Sequence, residues 1–568
     1  MRGLEWLYRH GYTFAGNLGR YIYGPLRWPD SVRLINLLPG DPGSRVQCEL
    51  FTTRLRRAPP YRALSYCWGG ISYTQSISCN GQEFEVTANL HDALKRLRQP
   101  HEPRTLFVDA ICINQRDYAE RNQQLLLMRH IYQAAEQVAV WLGRDTETIG
   151  LVISMLSKLG EIGRKKMDHG VRPGLTTANL QALGLPKHPS PDWSALRYFF
   201  RRAWFQRAWV IQEAVNAADL EVLCGDHSLS WEDIVDAARC ITDSTMYATT
   251  DTAHICQHIC FINQCRRTFD RSGSADLQQL SLLYLLNGSR RCDATDLRDK
   301  IYGLYPLIAS KHELPAPDYA RPVDAIYRET AAHIIRKTGK LDVLGFAGAA
   351  RHPRTRHLNL PSWVPDWHMQ DRARPLVGMF SSQAIQADVR FSSNLDSITI
   401  KGVILDEVVS MSDTIQPFQG SIDGSWVDRM LRDWPNGRER LEPTGEEVDI
   451  AHIGLHSPST HDHNNSVPTP TPLPSNLDAG YGNTMRDNAV KIVYARRVFR
   501  SSRGYLGSIS SYATIGDRIV LFRGAGVPFV VRPTDSGAYK LVGECFLSEF
   551  MGDNYSTGAE ADCEIRLV

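Results

Sequence analysis

The chain has 568 residues, which is too long for one compact hydrophobic core, so two or three domains are expected. Hydrophobic residues make up 43% of the sequence and charged residues 22%, and both fractions are ordinary for a globular protein. With 64 basic and 62 acidic residues the net charge is +2, and no long Lys/Arg block occurs, so a nucleic-acid partner is not expected.

The sequence favours a cytoplasmic protein without a membrane span. It contains no run of about 18 apolar residues, the length that a spanning helix needs. The first 24 residues lack the continuous apolar stretch of a signal peptide. The 12 cysteines are scattered and form no CxxC pair, a pattern that suits reduced thiols in the cytosol.

The elements predicted for the first half of the chain alternate between strands and helices. Apolar runs predict strands in "RLINLLPG" (33–40), in "ALSYCWGG" (63–70), at 105–108 and at 138–143. Helical spacing is present at 88–99 and again after Asp117, which is typical of an N-cap, with Glu120 three positions on as in a capping box. This order predicts a parallel α/β sheet.

Helical patterns continue at 149–163 and at 198–217, and the strand-like "LEVLCG" follows. From 230 to 345 the chain is predicted to be mainly helical. Around "HSPSTHDHNNSVPTPTPLPSN" the apolar content is too low and proline too frequent to repay the entropy of ordering, which predicts a disordered loop at 438–487. Three β runs separated by Gly/Pro turns then predict a small terminal β element.

One stretch resembles a metal-binding motif, "HICQHICFINQC" at 254–265. On a helix His254 and His258 share one face, whereas Cys256 and Cys260 share another. A single tetrahedral site would need both faces at once, so we predict an ordinary partly buried helix rather than a zinc site. No metal and no cofactor are expected.

The stretch "YRALSYCWGG" at 61–70 ends a predicted strand with a Trp and a Gly pair. Adjacent glycines let a backbone turn tightly or approach a ligand closely, and a buried Trp needs a partner for its N–H. The stretch is therefore either a strand that ends in a turn or the floor of a site.

Two carboxylates stand at positions that suit chemistry, although no Walker loop, HExxH, GxSxG or GxGxxG motif occurs. Asp109 follows a predicted parallel strand, and ligands of parallel sheets bind just beyond the carboxyl ends of the strands. Alternatively, Asp109 forms a turn by accepting hydrogen bonds from nearby backbone N–H groups. Glu213 lies four residues after Trp209 and therefore on the same helical face. It either forms a salt bridge with Arg202 or Arg207, or lines a cleft against an aromatic wall.

Three long blocks resemble the signature blocks of the fungal heterokaryon-incompatibility (HET) domain: "YRALSYCWG", "FVDAICINQRDYAERNQQLLLMRHIYQAAEQVAVWLG" and "RAWFQRAWVIQEAV". The resemblance extends over most of the chain beyond residue 30, apart from the loop at 438–487. It implies a part in fungal non-self recognition, in which fusion of unlike hyphae triggers cell death. It also implies self-association through the HET domain and an incompatibility partner protein of unknown identity.

The HET domain is in turn similar to the TIR domain in its order of elements. In NAD-cleaving TIR domains the Glu of a Trp-x-x-x-Glu helix is catalytic, which implies that role for Glu213, with Asp109 as a second catalytic residue. The residues implied to wall the nucleotide pocket are Ser65, Trp68, Gly69 and Trp209. NAD would be the substrate rather than a cofactor.

The chemistry of this cleavage needs little from the protein. The leaving group is already a cationic pyridinium, so one anion near the ribose can stabilise the developing oxocarbenium charge. Glu213 lies near the N-terminus of its predicted helix, and this position is expected to help keep the side chain ionised.

The resemblance implies an α/β fold with a TIR-like parallel sheet flanked by helices, then a mainly helical region and a small C-terminal β element. The expected parts are an N-terminal helical extension at 1–30, a HET domain at 31–230 with an insertion at 144–192, a helical or mixed region at 231–437, the disordered loop at 438–487 and the β element at 488–568. Three functions stay open: an NAD-depleting enzyme, a non-enzymatic module that signals by self-association, and a paralogue that has lost its trigger or activity. The insertion weighs against the enzyme, because it interrupts the TIR-like order just before the helix of Glu213.

Overall fold

The computed structural model describes residues 21–69, 73–168, 175–242, 252–270, 281–308, 315–348, 355, 357–369, 375–376, 386–414, 495–547, 550 and 562–568. The chain forms two compact units, Met1–Arg321 and Pro322–Val568. The predicted N-terminal extension lies outside the described residues up to residue 20, and the predicted loop at 438–487 lies outside them entirely.

The first unit is built on a nine-stranded sheet with the order β5-β4-β2-β1-β6-β3-β7-β8-β9. Its strands are β1 Ser31–Leu37, β2 Gln47–Arg54, β3 Arg62–Tyr66, β4 Thr74–Cys79, β5 Gln82–Thr87, β6 Arg104–Phe107, β7 Gln137–Trp141, β8 Leu220–Cys224 and β9 His227–Ser230.

The centre of this sheet is parallel, and nearer one edge β2 and β4 also pair in parallel. Strands β6, β3, β7 and β8 run in the same direction, whereas β1 pairs antiparallel with both β6 and β2, and β9 pairs antiparallel with β8. The central strands are buried nearly throughout, as expected for strands covered on both faces. The predicted α/β class is confirmed, and the sheet is mixed because antiparallel strands extend it on both sides.

Helices cover the sheet and continue beyond it. They are α1 Ala88–Leu97, α2 Asp109–Cys112, α3 Tyr118–Ala134, α4 Ile149–Asp168, α5 Pro191–Phe200, α6 Val210–Val215, α7 Trp231–Thr242, α8 Ala253–Asp270, α9 Leu282–Ser289 and α10 Asp299–Tyr302. The last four lie in the region predicted to be mainly helical. None of the helices in the described part of the chain is both long and apolar enough to cross a membrane.

The helix predicted at 198–217 is wrong as a single element. The chain instead forms the end of α5, a short 3-10 turn at Ala203–Gln206, and then α6. Between the turn and α6 the backbone of Arg207 bridges to Asp293, and the Ala208 N–H donates to the Asp293 carbonyl at 3.1 Å. Contacts with the helical region therefore interrupt a locally helical pattern.

The start of α3 agrees with its sequence signature in one respect and differs in another. Asp117 caps the helix by accepting from the N–H groups of Ala119 and Glu120. The Glu120 side chain accepts from the Asn114 N–H at 2.6 Å and forms an ion pair with Arg33 at 2.6 Å. Glu120 thus ties α3 to β1, because its carboxylate meets a buried guanidinium rather than returning to the cap.

The second unit contains helix α11 Val323–Thr338 and a β-barrel. Its strands are β10 Val389–Phe391, β11 Ile398–Met411, β12 Arg496–Ser501, β13 Leu506–Ser510, β14 Arg518–Phe522, β15 Phe529–Pro533, β16 Tyr539–Phe546 and β17 Cys563–Leu567. The order β11-β12-β13-β16-β15-β14 closes into a ring because β14 pairs back with β11. The predicted terminal β runs are present, and they are joined by β10 and β11 from before the loop.

Candidate functional site

The site lies where the central parallel strands end. Ser65 is near the carboxyl end of β3, and Asp109 follows β6, the parallel neighbour of β3. After β6 the chain crosses over β3 to form β7 on its other side. This reversal of strand order is the place where open α/β sheets bind ligands.

Glu213 reaches this edge from α6. The Ser65 hydroxyl donates a short hydrogen bond to Oε2 of Glu213, and the Trp204 indole N–H donates to the Ser65 hydroxyl oxygen at 2.8 Å. Only 3% of Glu213 is exposed to solvent. Burial raises the pKa of Glu213 to about 7, against the lowering effects of Arg207 and Ser65.

Two expectations for Glu213 are wrong. Neither Arg202 nor Arg207 forms an ion pair with it among the described residues; Arg202 donates instead to the carbonyl oxygens of Leu142 and Arg144, at 2.8 and 2.9 Å. Glu213 is also less ionised at neutral pH than expected, because desolvation outweighs the favourable interactions and raises its pKa to about 7.

Asp109 meets donors from three residues, one of which is the Tyr66 side chain. Its Oδ2 accepts from the Trp68 indole N–H at 2.9 Å, and its Oδ1 accepts from the backbone N–H of Ala110 at 2.7 Å. Burial raises its pKa, although these bonds and the nearby Arg207 oppose the rise. One oxygen therefore serves the start of α2, as the turn interpretation expects, and the other meets Trp68; a role of Asp109 in a site stays a prediction.

The loop after β3 is held by Asn89 of α1. The Asn89 amide donates to the Cys67 carbonyl at 2.7 Å, and its oxygen accepts from the Trp141 indole N–H at 2.9 Å. Gly69 follows with a φ of +76°, a conformation that favours glycine. Gly69 is exposed, so its role in the structure is to turn the chain.

Trp209 is not part of this hydrogen-bond network. Its indole forms a hydrogen bond with Asp299, and its ring lies beside Gly303. Asp299 also accepts from the Tyr319 hydroxyl at 2.7 Å. The sequence-predicted residues that the structure brings together are Ser65, Trp68, Asp109 and Glu213; their roles in catalysis and binding stay predictions.

Arg207 and Tyr66 are the polar residues that the sequence analysis did not assign to the site. Arg207 donates a short hydrogen bond to the Tyr66 carbonyl and influences the pKa of Asp109, Glu213 and Cys67. Tyr66 directly follows Ser65, and Arg207 was considered only as an ion-pair partner of Glu213, so proximity in sequence and that pairing were the available signals.

Chemically, the edge combines two carboxyls of raised pKa with hydroxyl, indole and guanidinium donors. Such a set can exchange protons near neutral pH, bind sugar hydroxyls or stabilise a positive charge. Among the described residues no group of three or more His, Cys, Asp or Glu side chains could hold a metal ion. In the helix that carries the candidate zinc motif, His258 instead lies 3.3 Å from the Cys292 thiol.

The site coincides with a known domain. The family model described as heterokaryon incompatibility protein (HET) matches residues 61–213, from the residue before β3 to Glu213 itself. This chain carries a HET domain at residues 61–213. The match confirms the resemblance carried by the three sequence blocks.

A second family model, the Het-6 β-barrel domain, matches residues 477–563 of this HET-domain protein. Heterokaryon incompatibility protein 6, OR allele, of Neurospora crassa is 24% identical over an alignment that covers 96% of this chain and 98% of the relative. No solved structure matches the chain.

Proposed function

We propose that this protein acts in heterokaryon incompatibility, the fungal recognition of non-self that ends in cell death, and that its HET domain acts in the cytoplasm by cleaving NAD. The similarity to a protein named for heterokaryon incompatibility, across nearly the whole of both chains, supports the first part. The geometry of the sheet edge supports the second.

The reaction would hydrolyse the bond between nicotinamide and ribose. The bonding electron pair leaves with the pyridinium nitrogen, and neutral nicotinamide departs. Water then adds to the anomeric carbon, giving ADP-ribose and releasing one proton. Ionised Glu213 would stabilise the cationic ribose, and Asp109 would orient the sugar hydroxyls or accept the proton of the water.

The single observation that carries this proposal is the convergence of Glu213 and Asp109 on one edge. They come from different elements, and burial raises the pKa of each of them, although the same Arg207 guanidinium opposes both rises. Two carboxyls with perturbed pKa values at the carboxyl ends of parallel strands are typical of a reactive site.

One observation favours a second function. Glu213 is almost fully buried and bonded to Ser65, which also suits a clamp that fixes α6 against β3. In that case the domain would signal without chemistry, by self-association. Glu213 would then matter for stability alone.

The test is hydrolysis of NAD by the purified full-length chain, followed as release of nicotinamide and ADP-ribose. Glu213→Gln keeps the size of the side chain and removes its charge, and we expect it to reduce the rate at least 100-fold. Asp109→Asn should reduce it about 10- to 100-fold. Because the ionised form is required, the wild-type rate should rise up to about pH 7 and then level off.

Glu83→Gln is the matched control, since Glu83 lies on β5 in an ion pair whose carboxylate side chain is 57% exposed. It should hydrolyse NAD at the wild-type rate. Expression of the same variants in yeast, with growth and NAD measured together, separates the two functions. Death that persists in Glu213→Gln without loss of NAD would refute the enzyme and favour self-association.

A further inference from the structure

Two cysteines lie side by side near one edge of the nine-stranded sheet. Strands β2 and β4 pair in parallel, and one of their residue pairs joins Cys48 to Cys79. The Asn80 N–H donates to the Cys48 carbonyl at 3.0 Å, which fixes this register. Because paired residues of neighbouring strands point to the same face of a sheet, both thiols project to one side, where both are buried.

The spacing of paired strands suits a covalent bond between these thiols. Neighbouring strands of a sheet lie about 4.8 Å apart. Cysteines joined by a disulfide have their Cα atoms about 4.4–6.8 Å apart. Cys48 and Cys79 therefore lie within reach of each other without a movement of the backbone. Both are free thiols in the structure.

Contacts around Cys79 favour its thiolate. The hydrogen bond between the two cysteine side chains is the largest influence on both groups; it raises the pKa of Cys48 and lowers the pKa of Cys79. Cys48 is thus the donor of the pair. The Leu50 backbone N–H and the Tyr21 hydroxyl also lower the pKa of Cys79. Since thiolates react with oxidants and thiols do not, Cys79 is the nucleophile.

A small part of the chain separates these thiols from solvent. The half-buried Tyr21 meets Cys79 through its hydroxyl, which also accepts from the Asn80 amide at 2.9 Å. The next residue, Ile22, is 85% exposed. In the described part of the sheet β4 pairs with β2 at two residue pairs, so a local opening at this short junction would admit a small oxidant.

We propose that Cys48 and Cys79 form a disulfide when the protein meets hydrogen peroxide, and that this bond fastens the hairpin of β4 and β5 to the rest of the sheet. The Cys79 thiolate attacks one peroxide oxygen, the O–O bond breaks, and the departing hydroxide takes up a proton to become water. The Cys48 thiol then attacks the sulfenic sulfur, gives up its proton and releases a second water. Two thiols and one peroxide thus give one disulfide and two waters.

The position of this bond determines what it would do. The segment between the two cysteines contains the whole of β3, the strand that carries Ser65. The edge strand β5 is joined to the sheet through β4, so a bond at the junction of β2 and β4 holds both strands of the hairpin. In a reducing compartment such a bond is transient and reports oxidation. It involves neither NAD nor the two acids, so it is tested independently of the proposed function.

Mass spectrometry of the reduced full-length chain after treatment with hydrogen peroxide tests the proposal. Remaining thiols are blocked with N-ethylmaleimide, and digestion without reductant should give two peptides joined through Cys48 and Cys79, which dithiothreitol separates again. Treatment in guanidinium should give far less of this product, because the strands no longer hold the thiols together. An equal yield from the unfolded chain would show that the sheet does not direct the reaction.

Substitutions distinguish the two thiols. Cys48→Ala removes the second thiol, so Cys79 should stay as a sulfenic acid that dimedone traps, or continue to sulfinic acid. In Cys79→Ala, Cys48 should remain a thiol. Cys224→Ala is the matched control, because Cys224 is also buried in a strand of this sheet but has His227 as its partner on β9; it should form the bond in wild-type yield. The wild-type measurement needs no substitution, which covers a variant that fails to fold.

Two results would overturn the proposal. Cys563 is exposed and Cys67 partly so; if these react while Cys48 and Cys79 stay thiols, the pair is not a redox site. Hydrogen exchange tests the fastening of the hairpin, and exchange in β4 and β5 should slow at least tenfold in the oxidised protein. A disulfide that leaves this exchange unchanged would refute that part.

Discussion

Glu213 is a carboxyl whose charge state changes within the physiological pH range. Burial disfavours the anion, whereas Arg207 and the Ser65 hydroxyl favour it, and the balance is a pKa of about 7 instead of the ordinary 4.5. A residue balanced in this way can be neutral or charged depending on what enters beside it. A phosphate would raise its pKa further, and a cationic ring would lower it.

The same balance predicts how pH affects stability. Between pH 4.5 and 7 the unfolded state loses this proton while the folded state keeps it, so the free energy of unfolding falls by about 3 kcal/mol as pH rises, and changes no further above 7. Glu213→Gln removes that dependence. Denaturant unfolding of both proteins at pH 5 and pH 8 measures the difference, and a constant gap between them would contradict the assignment.

At this scale the sequence predicted part of the site. Asp109 could be found because it follows a predicted strand, and Glu213 because of its Trp-x-x-x-Glu spacing from Trp209. The bond between Ser65 and Glu213 joins residues 148 positions apart, so local patterns carry no trace of it. The direction of Trp209 was equally hidden, because it is set by Asp299 in the helical region.

At the scale of elements, helix α3 is fixed to β1 by a buried ion pair. The Arg33 side chain is 2% exposed and that of Glu120 10% exposed, and Arg33 also donates to the Cys112 carbonyl at 3.1 Å. The segment between β6 and α3, which contains Asp109, is thereby held at Cys112 and at Asn114. The position of Asp109 depends on this contact.

Removal of one partner should therefore be costly. Glu120→Gln leaves a buried guanidinium without its counter-charge, and we expect a loss of about 3 kcal/mol in the free energy of unfolding. Glu83→Gln breaks the exposed pair with Arg45 and should cost less than about 1 kcal/mol. Thermal unfolding of the two variants compares them directly, and equal shifts in Tm would show that the Arg33 pair is not special.

Elements with strong periodicity were predictable, and those made by long-range pairing were not. Strands β1, β3, β6 and β7 follow from apolar runs, and helix α3 from its cap. Strands β4 and β5 carry few buried residues and are defined by pairing at the edge of the sheet, so their sequences give little signal. Strand β11 was missed for a different reason: it carries many buried residues, but its barrel partners β12 and β14 lie beyond residue 495.

At the scale of the whole molecule, the chain combines the α/β unit with a closed barrel. The barrel core is continuous and apolar, and it depends on a close approach at Gly507 of β13, where an added Cβ would lie 2.0 Å from the Phe546 carbonyl oxygen. Contact this close leaves room for glycine alone.

Gly507→Ala should therefore destabilise the barrel by about 3 kcal/mol. Hydrogen exchange should show faster exchange in β13 and β16, and strand β3 serves as the internal reference. Gly43→Ala is the control, because nothing lies within 4 Å of the position its Cβ would take; a change below about 0.5 kcal/mol is expected. If the hydrogen-exchange rates in β16 of Gly507→Ala equal those of the wild type, the predicted clash between the added Cβ and the Phe546 carbonyl is contradicted.

Closure of the barrel limits how copies of this protein could polymerise. The strands of a closed ring have no free edge with unpaired backbone N–H and C=O groups. Strand β10, which pairs with β11 outside this ring, has only three residues. Among the described strands, the edges of the nine-stranded sheet are β5 and β9. Strand β5 carries the charged residues Glu83 and Glu85, and β9 has only four residues. Edge strands that are charged or short resist pairing with a strand from another chain. Strand addition at the described edges of the native fold is therefore disfavoured, and we expect the described parts of two copies to meet through side chains.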